Sequence, residues 1–457
     1  MTDSTEVDVV VVGLGPGGEH AAAELASAGL EVVGVDRRLV GGECPYFGCI
    51  PSKMIVRAAG LVAEARRIPG MAGTVEVLPS WEPVARRIRD EATDDWDDTV
   101  AVERLEKTGA RFVRGTGRLT GPRAVRVDTA DGPVELTARR GIVLNTGTEP
   151  AVPPIDGLAD TPYWTNRDAV RVTQLPASLV VLGGGAIGCE LAQAFARFGV
   201  PVTVVEAGER ILGPEEPEAS SIVAAAMEAD GVTVLTGVGV SAVRYDDGFE
   251  LTLADGTSVS SAELLVAAGR STNLRDIGLE TVGLDPAART LDPDEQMRVA
   301  EGLWAIGDIT GKGAFTHVSM YQAGVAIRSI LGQDGPWADY RAVGRATFTD
   351  PEVGSVGMTE TQARSAGLDV QVGLADLGSS SRGWLHGPGG AGVVKLVADA
   401  GRGVLVGGTT VGPSGGDVLG WVATAVHAQV PIATLRTMHF AYPTFHRAIE
   451  TALADLG

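Results

Sequence analysis

Two of the chain's three cysteines lie in one short stretch, GGECPYFGCIPSK, from Gly41 to Lys53. Cys44 and Cys49 are five positions apart, a spacing open to a metal clip, a structural staple or a redox pair. In a regular helix, residues five apart are separated by about 7.5 Å along the axis and about 140° around it. A disulfide needs Cα atoms within about 7 Å. A straight helix cannot join the two, so the turn at Pro45 and Gly48 must be irregular. Pro51 suits the first regular turn that follows. A thiolate near such a helix start is stabilised and its pKa lowered. Zinc needs four ligands, commonly in two pairs. Only Cys189 remains, far along the chain, and there is no Cys-x-x-Cys, so zinc is disfavoured. The plain alternative to a redox pair is two buried, unreactive thiols, and Cys189 itself reads as packing.

The elements that must serve these cysteines show in a duplicated pattern. VDVVVVGLGPGGEHAAAELASAGLEVVGVD, Val7 to Asp36, reads strand, Gly-rich turn, helix, strand. Val9–Val12 is a β-branched run suited to a strand buried on both faces. Gly13, Gly15 and Gly18 form G-x-G-x-x-G, and Gly29 suits the residue after the helix end. The glycines allow a tight turn, close approach of a pyrophosphate and close helix–strand packing. The same pattern returns in SLVVLGGGAIGCELAQAFARFGVPVTVVE with Gly183, Gly185 and Gly188. An acid ends the second strand at the same offset in both, Asp36 after Gly13 and Glu206 after Gly183. Such an acid accepts from a ribose hydroxyl. Two copies in the same context imply two dinucleotides. Glu206 favours NAD(H), because a carboxylate there repels the 2′-phosphate of NADP(H); Arg210 is close enough in sequence to compensate.

At 457 residues the chain is too long for one core, and about three domains are expected. Apolar content of 44% and charged content of 21% mark a folded globular protein. Its net charge of −21 comes with no basic stripe and excludes nucleic acid as a partner. The start, MTDSTEVD, lacks the features of a signal peptide, and the apolar runs are too short to span a membrane. A cytoplasmic protein with no membrane partner is expected.

The duplicated unit together with GGECPYFGCIPSK resembles the class I pyridine nucleotide–disulfide oxidoreductases, the group of dihydrolipoamide dehydrogenase, glutathione reductase and mercuric reductase. LWAIGDIT, NTGTEP from Asn145, AAGRSTN from Ala267 and FTDPEVGSVGMTE from Phe348 resemble further signatures of that family, so the likeness covers nearly the whole chain. It implies an α/β fold with two Rossmann-like dinucleotide-binding domains and a C-terminal α+β dimerisation domain. The implied FAD domain is 1–150 and 271–338, the NAD(P) domain 151–270 and the dimerisation domain 339–457. Hairpin-like strands are expected at VVKLVAD and GVLVGGTTV. The resemblance implies a homodimer with FAD and NADH in which electrons pass through the flavin to a Cys44–Cys49 disulfide and on to a small-molecule acceptor. Cys49 is then beside the flavin, and Cys44, nearer the surface, meets the acceptor. Lys53 is implied near the flavin, paired with Glu190. Asp308, Thr146 and Gly147 are implied at FAD, Gly269 at the return link, and Thr316 and His317 at a helix start facing the flavin.

One segment departs from the family. Disulfide reductases end in His-x-His-Pro-Thr-x-x-Glu, whose second histidine is the acid/base for the partner subunit's disulfide. Here FAYPTFHR puts Tyr442 at the histidine position and Arg447 at the glutamate position. A tyrosine, with a pKa near 10, is a poor base at neutral pH. His446, on the same face as Tyr442 if the segment is helical, and His439 are the substitutes to weigh. Tyr442 resembles mercuric reductase and soluble transhydrogenase, yet TALADLG has no cysteine pair and both Cys44 and Cys49 are present. The acceptor is then a disulfide, a quinone or similar. Dihydrolipoamide dehydrogenase, a mercuric reductase-like enzyme, a thiol oxidase and, in another class, a flavin-bound redox sensor are the alternatives.

Overall fold

The computed structural model describes residues 5–456. Two compact units are present. The first combines the N-terminal segment through Pro51 with Arg87–Pro150 and Arg270–Asp339. Its sheet runs in the order Arg298–Ala300, Leu303–Ala305, Gly132–Leu144, Thr5–Val12, Val32–Asp36, Arg111–Arg114. All neighbours from Leu303–Ala305 onward are parallel. Val7 and Val9–Val12 are almost wholly buried, as a β-branched run covered on both faces must be. Helices Pro16–Ser27 and Thr316–Leu331 belong to one core, which includes Leu25, Val325 and Ile330. A second core, with Leu119, Val125 and Leu279, forms around the sheet's other residues. Helix Pro16–Ser27 stops as expected, with Gly29 at φ +89° two residues on.

The second unit combines Ser52–Arg86, Ala151–Gly269 and the chain from Tyr340 on. Its parallel sheet is ordered Thr233–Leu235, Val202–Val205, Leu179–Leu182, Glu263–Val266. Every residue of helix Ala186–Arg197 from Gly188 onward is buried. Trp81 explains why Ser52–Arg86 joins this unit: its ring stacks on Phe195 at 5.3 Å and meets Phe198 edge-on at 5.1 Å. Arg197, 3% exposed, bonds Asp230 and Asp350, and Arg67 reaches the same Asp350. A five-stranded antiparallel sheet carries the C-terminal part, and VVKLVAD and GVLVGGTTV pair in it antiparallel, as expected. Buried Lys395 on that sheet bonds Glu216, the residue just before helix Pro217–Ala229, Glu218 in that helix's first turn, and Glu360. Removing one partner of such a buried ion pair typically costs about 3–5 kcal/mol.

Candidate functional site

In the first unit the chain leaves strand Thr5–Val12 through Gly13 at φ +92°, where a Cβ would lie 2.3 Å from the Asn145 carbonyl oxygen. A Cβ on Gly18 would lie 2.0 Å from the Gly13 oxygen, so only glycine lets the helix approach this closely. Asn145 fits with its oxygen accepting from the Gly18 N–H at 2.9 Å and its nitrogen donating to the Ser319 hydroxyl at 3.2 Å. Asp36 accepts from the Leu14 and Arg38 N–H groups, both at 2.7 Å. Burial is the largest influence on the Asp36 carboxyl and pushes its pKa up. Gly15 caps helix Pro16–Ser27 with no side-chain bond to the helix start, leaving that end for an anion.

The same geometry recurs in the second unit. Gly183 has φ +111°, and a Cβ on Gly188 would lie 2.0 Å from the Gly183 oxygen. Glu206 accepts from the Gly184 and Gly208 N–H groups, both at 2.6 Å. Gly185 caps its helix with no side-chain bond, and a Cβ there would meet nothing within 4 Å. Arg210 does not compensate Glu206: its guanidinium donates to the Leu212 and Gly213 carbonyls. Gly269, at φ +116°, accepts from the Ala151 N–H. Cys189 is buried, donates to the Gly184 carbonyl at 3.2 Å, and has its thiol pushed up to about 12 by burial. It is packing.

The cysteine segment breaks where the geometry requires. Cys44 lies in a short helix, Glu43–Tyr46, Phe47 and Gly48 interrupt it, and Cys49 begins helix Cys49–Arg66. Pro51 falls in that helix's first turn. The Cys49 sulfur is 3.5 Å from the Thr316 hydroxyl, at the start of helix Thr316–Leu331. His317 stacks on Phe315 at 5.3 Å. Cys49 is exposed and Cys44 half-buried. Cys49 opens its helix, and Cys44 is set into the wall of a cavity of about 720 Å³.

Lys53 and Glu190 meet as the family resemblance implied, at 2.7 Å, with the Glu190 side chain only 5% exposed. The other Glu190 oxygen accepts from the Phe348 N–H, and the Lys53 ammonium lies over the Phe348 ring at 4.7 Å. Asp308 accepts from the Thr148 hydroxyl at 2.6 Å, and Arg270 donates to that hydroxyl. Thr146 and Asn273 exchange hydrogen bonds, and the Gly147 carbonyl accepts from the Asn273 N–H.

At the C-terminal segment the helical pairing of Tyr442 and His446 does not hold. Residues 442–443 form a turn, Thr444 is extended, and the helical geometry begins only at Phe445. Pro443 is the reason, since the residue before a proline is driven out of the helical region. Tyr442 is 67% exposed, with the Arg447 guanidinium 5.4 Å from its ring centre. His446 faces the Phe440 ring at 6.1 Å, and His439 is exposed. The sequence reading missed the residues that share the Cys44 cavity, His20, Tyr46 and Arg104 among them. His20 alone carried a signal, two residues past Gly18 at the start of the first Gly-rich helix.

The residues fit the two dinucleotides: two helix starts with no side-chain cap, two closely packed glycine turns and two carboxylates at strand ends suit pyrophosphate and ribose groups. Among the described residues no helix is long and apolar enough to cross a membrane. A family profile described as pyridine nucleotide-disulphide oxidoreductase matches residues 7–324, and its dimerisation-domain profile matches 343–453. The chain is 33% identical to a dihydrolipoyl dehydrogenase of Halobacterium salinarum, over 99% of this chain and 97% of that protein. It is 32% identical to a mercuric reductase of Acidithiobacillus ferrooxidans, over 98% and 82%. Among solved structures, LpdA from Mycobacterium tuberculosis superposes with a TM-score of 0.86 at 26% identity, over 99% of this chain and all of that one. The HOCl-induced flavoprotein disulfide reductase RclA from Escherichia coli, as its Cu(II) complex, gives 0.84 at 25%, over 98% and 99%. Members of this family are enzymes that use FAD and NAD(P)H. The chain belongs to the class I pyridine nucleotide–disulphide oxidoreductases.

Proposed function

We propose that the chain is a homodimeric, NADH-dependent flavoenzyme that reduces a small-molecule acceptor at a Cys44–Cys49 redox pair. The observation that carries the reading is the broken helix, which sets Cys49 at the head of Cys49–Arg66 with its sulfur 3.5 Å from the Thr316 hydroxyl. Positive helix-end potential favours a thiolate at that position. FAD, when bound, supplies two-electron exchange between a nicotinamide and a dithiol.

The residues assigned to FAD are Gly13, Gly15, Gly18, Asp36, Thr146, Gly147, Asp308, Thr316 and His317. Those assigned to NADH are Gly183, Gly185, Gly188, Glu206 and Gly269. Glu206 is the specificity residue: its carboxylate repels a 2′-phosphate, and Arg210 is committed to backbone carbonyls. Glu190 holds the Lys53 ammonium in place and neutralises it. Residues 1–150 and 271–338 act as the FAD domain, 151–270 as the NAD domain and 339–457 as the dimerisation domain.

Exposed Trp384, at 78%, Leu385 and Tyr442 support burial against a second subunit. Tyr442 has a hydroxyl that donates a proton to a leaving thiolate but accepts one poorly at neutral pH. The acceptor is therefore one whose reduction does not depend on a histidine shuttle on this segment. Anaerobic titration with NADH tests the reading. A long-wavelength absorption band should appear on reduction and be lost in Cys49→Ser; absence of any spectral change with either nicotinamide contradicts it.

A further inference from the structure

The piece of chain that carries Cys44 is bounded by glycines, Gly41 at φ +102° and Gly42 at φ +67° before it and Gly48 after it. Between them Glu43–Tyr46 is a helix of four residues, too short to persist on its own. Segment 93–98, in the same unit, grips it on either side of Cys44. The Trp96 indole N–H donates to the Tyr46 carbonyl at 3.0 Å, satisfying one of the acceptors that a helix end leaves open. On the other side Asp98 accepts from the Val40 N–H at 2.7 Å. Asp98 is buried and is fixed in turn by the Arg114 guanidinium, 2.8 and 2.6 Å from its two oxygens. Asp94, Asp95 and Trp96 take φ of +47°, +54° and +59° in succession. Aspartate tolerates that region through its short polar side chain, whereas a tryptophan there is strained. Such strain persists only where the surroundings fix it. Buried Thr93 helps to do so, its hydroxyl donating to the Ile88 carbonyl at 3.1 Å, and the Asp95 N–H donates to the Arg89 carbonyl at 2.7 Å.

We propose that Trp96 and Asp98 are positioning residues for the redox pair: they clasp the Cys44 segment at Tyr46 and Val40, hold the Cys44 sulfur within reach of Cys49, and so favour the disulfide over the dithiol. The proposal rests on the redox reading of Cys44 and Cys49. Without the clasp, the glycine joints would let the segment pivot once the sulfur–sulfur bond opens, and that freedom would be lost again at every closure. Restraining the open form raises its free energy relative to the closed one, as a crosslink does to an unfolded chain. Neither residue needs to touch the acceptor.

The test is the equilibrium of FAD-loaded protein with dithiothreitol under anaerobic conditions. The two reagent thiols become its cyclic disulfide as the Cys44–Cys49 bond breaks, and their two protons pass to the two cysteines. Acid quenching and alkylation then count the thiols at Cys44 and Cys49. Trp96→Phe deletes the indole N–H and keeps a ring. The ratio of oxidised to reduced dithiothreitol at half-reduction should rise about three- to tenfold, the worth of one hydrogen bond. Tenfold is about 30 mV for a two-electron couple. Asp98→Ala opens the other side and should move the ratio in the same direction, which keeps the test available if Trp96→Phe does not fold. Trp81→Phe loses the same kind of bond in the second unit, from its indole to the Val172 carbonyl at 2.8 Å, and should leave the ratio within about twofold. An unchanged ratio in both clasp variants, or an equal rise in Trp81→Phe, overturns the proposal. Wild-type protein in which no dithiothreitol buffer joins Cys44 to Cys49 contradicts the redox reading itself, and the proposal falls with it.

Discussion

The two glycine turns solve one backbone problem in the same way and then diverge in what surrounds them. Gly18 and Gly188 pack so that a Cβ would meet the Gly13 or Gly183 oxygen at 2.0 Å. Asp36 and Glu206 each brace their turn with two backbone N–H groups. The first turn is crowded: Asn145 lies 3.3 Å from a Cβ on Gly15, and a Cβ on Gly42 would lie 2.8 Å from Gly15 Cα. The second is open, with nothing within 4 Å of a Cβ on Gly185. An enclosed turn suits a resident cofactor and an open one suits a nucleotide that enters and leaves at every turnover, which agrees with the proposed placing of FAD at the first turn and NADH at the second.

The largest effect expected from this comparison is structural. Gly18→Ala and Gly188→Ala should each cost about 3 kcal/mol or more in urea unfolding, because backbone must move to admit the methyl. Gly185→Ala should stay within about 0.5 kcal/mol while weakening NADH binding. Equal destabilisation by Gly185→Ala and Gly188→Ala would break the distinction between a packing glycine and an access glycine. Next in size, Glu206→Ala should raise the KM for NADH about 10- to 100-fold, the loss of a charged hydrogen bond, with FAD content unchanged. Asp36→Ala should lower retained FAD and leave the KM for NADH of the loaded fraction near wild type. The reverse pattern would exchange the two assignments.

The smallest effect is in the pH dependence of stability. The Asp36 carboxyl is raised above 3.8 by burial, so the folded chain holds that proton longer than the unfolded one. Its contribution is fully present below 3.8 and is lost as pH rises through the raised value. Asp36→Asn should flatten that fall in the urea midpoint of FAD-free protein, and Glu206→Gln should not. An unchanged slope in Asp36→Asn would show that the desolvated carboxyl is not what titrates.

Much of this was legible in the sequence because it is local. The glycine spacing, the matched acid offsets and the break between Cys44 and Cys49 follow from short-range sterics, whereas the helix beginning at Thr316 was reached through the family resemblance. Lys53 with Glu190 was reached through motif likeness and not through spacing, since 137 positions separate them. The Cys44 cavity was not legible. Its acidic wall comes from 91–97, where Asp94, Asp95 and Trp96 all take positive φ, and no periodicity ties that turn to a cysteine fifty residues earlier. The C-terminal segment failed for a local reason, the proline at 443 that ends any helix shared by Tyr442 and His446.

The most direct test of the central claim is thiol mapping of the FAD-loaded protein under anaerobic conditions, before and after NADH. The account predicts that Cys44 and Cys49 are linked to each other and resist alkylation before reduction. One equivalent of NADH beyond that consumed by the flavin should then make both alkylatable, with Cys189 unlabelled throughout. Alkylation of Cys44 and Cys49 to the same extent with and without NADH would contradict it.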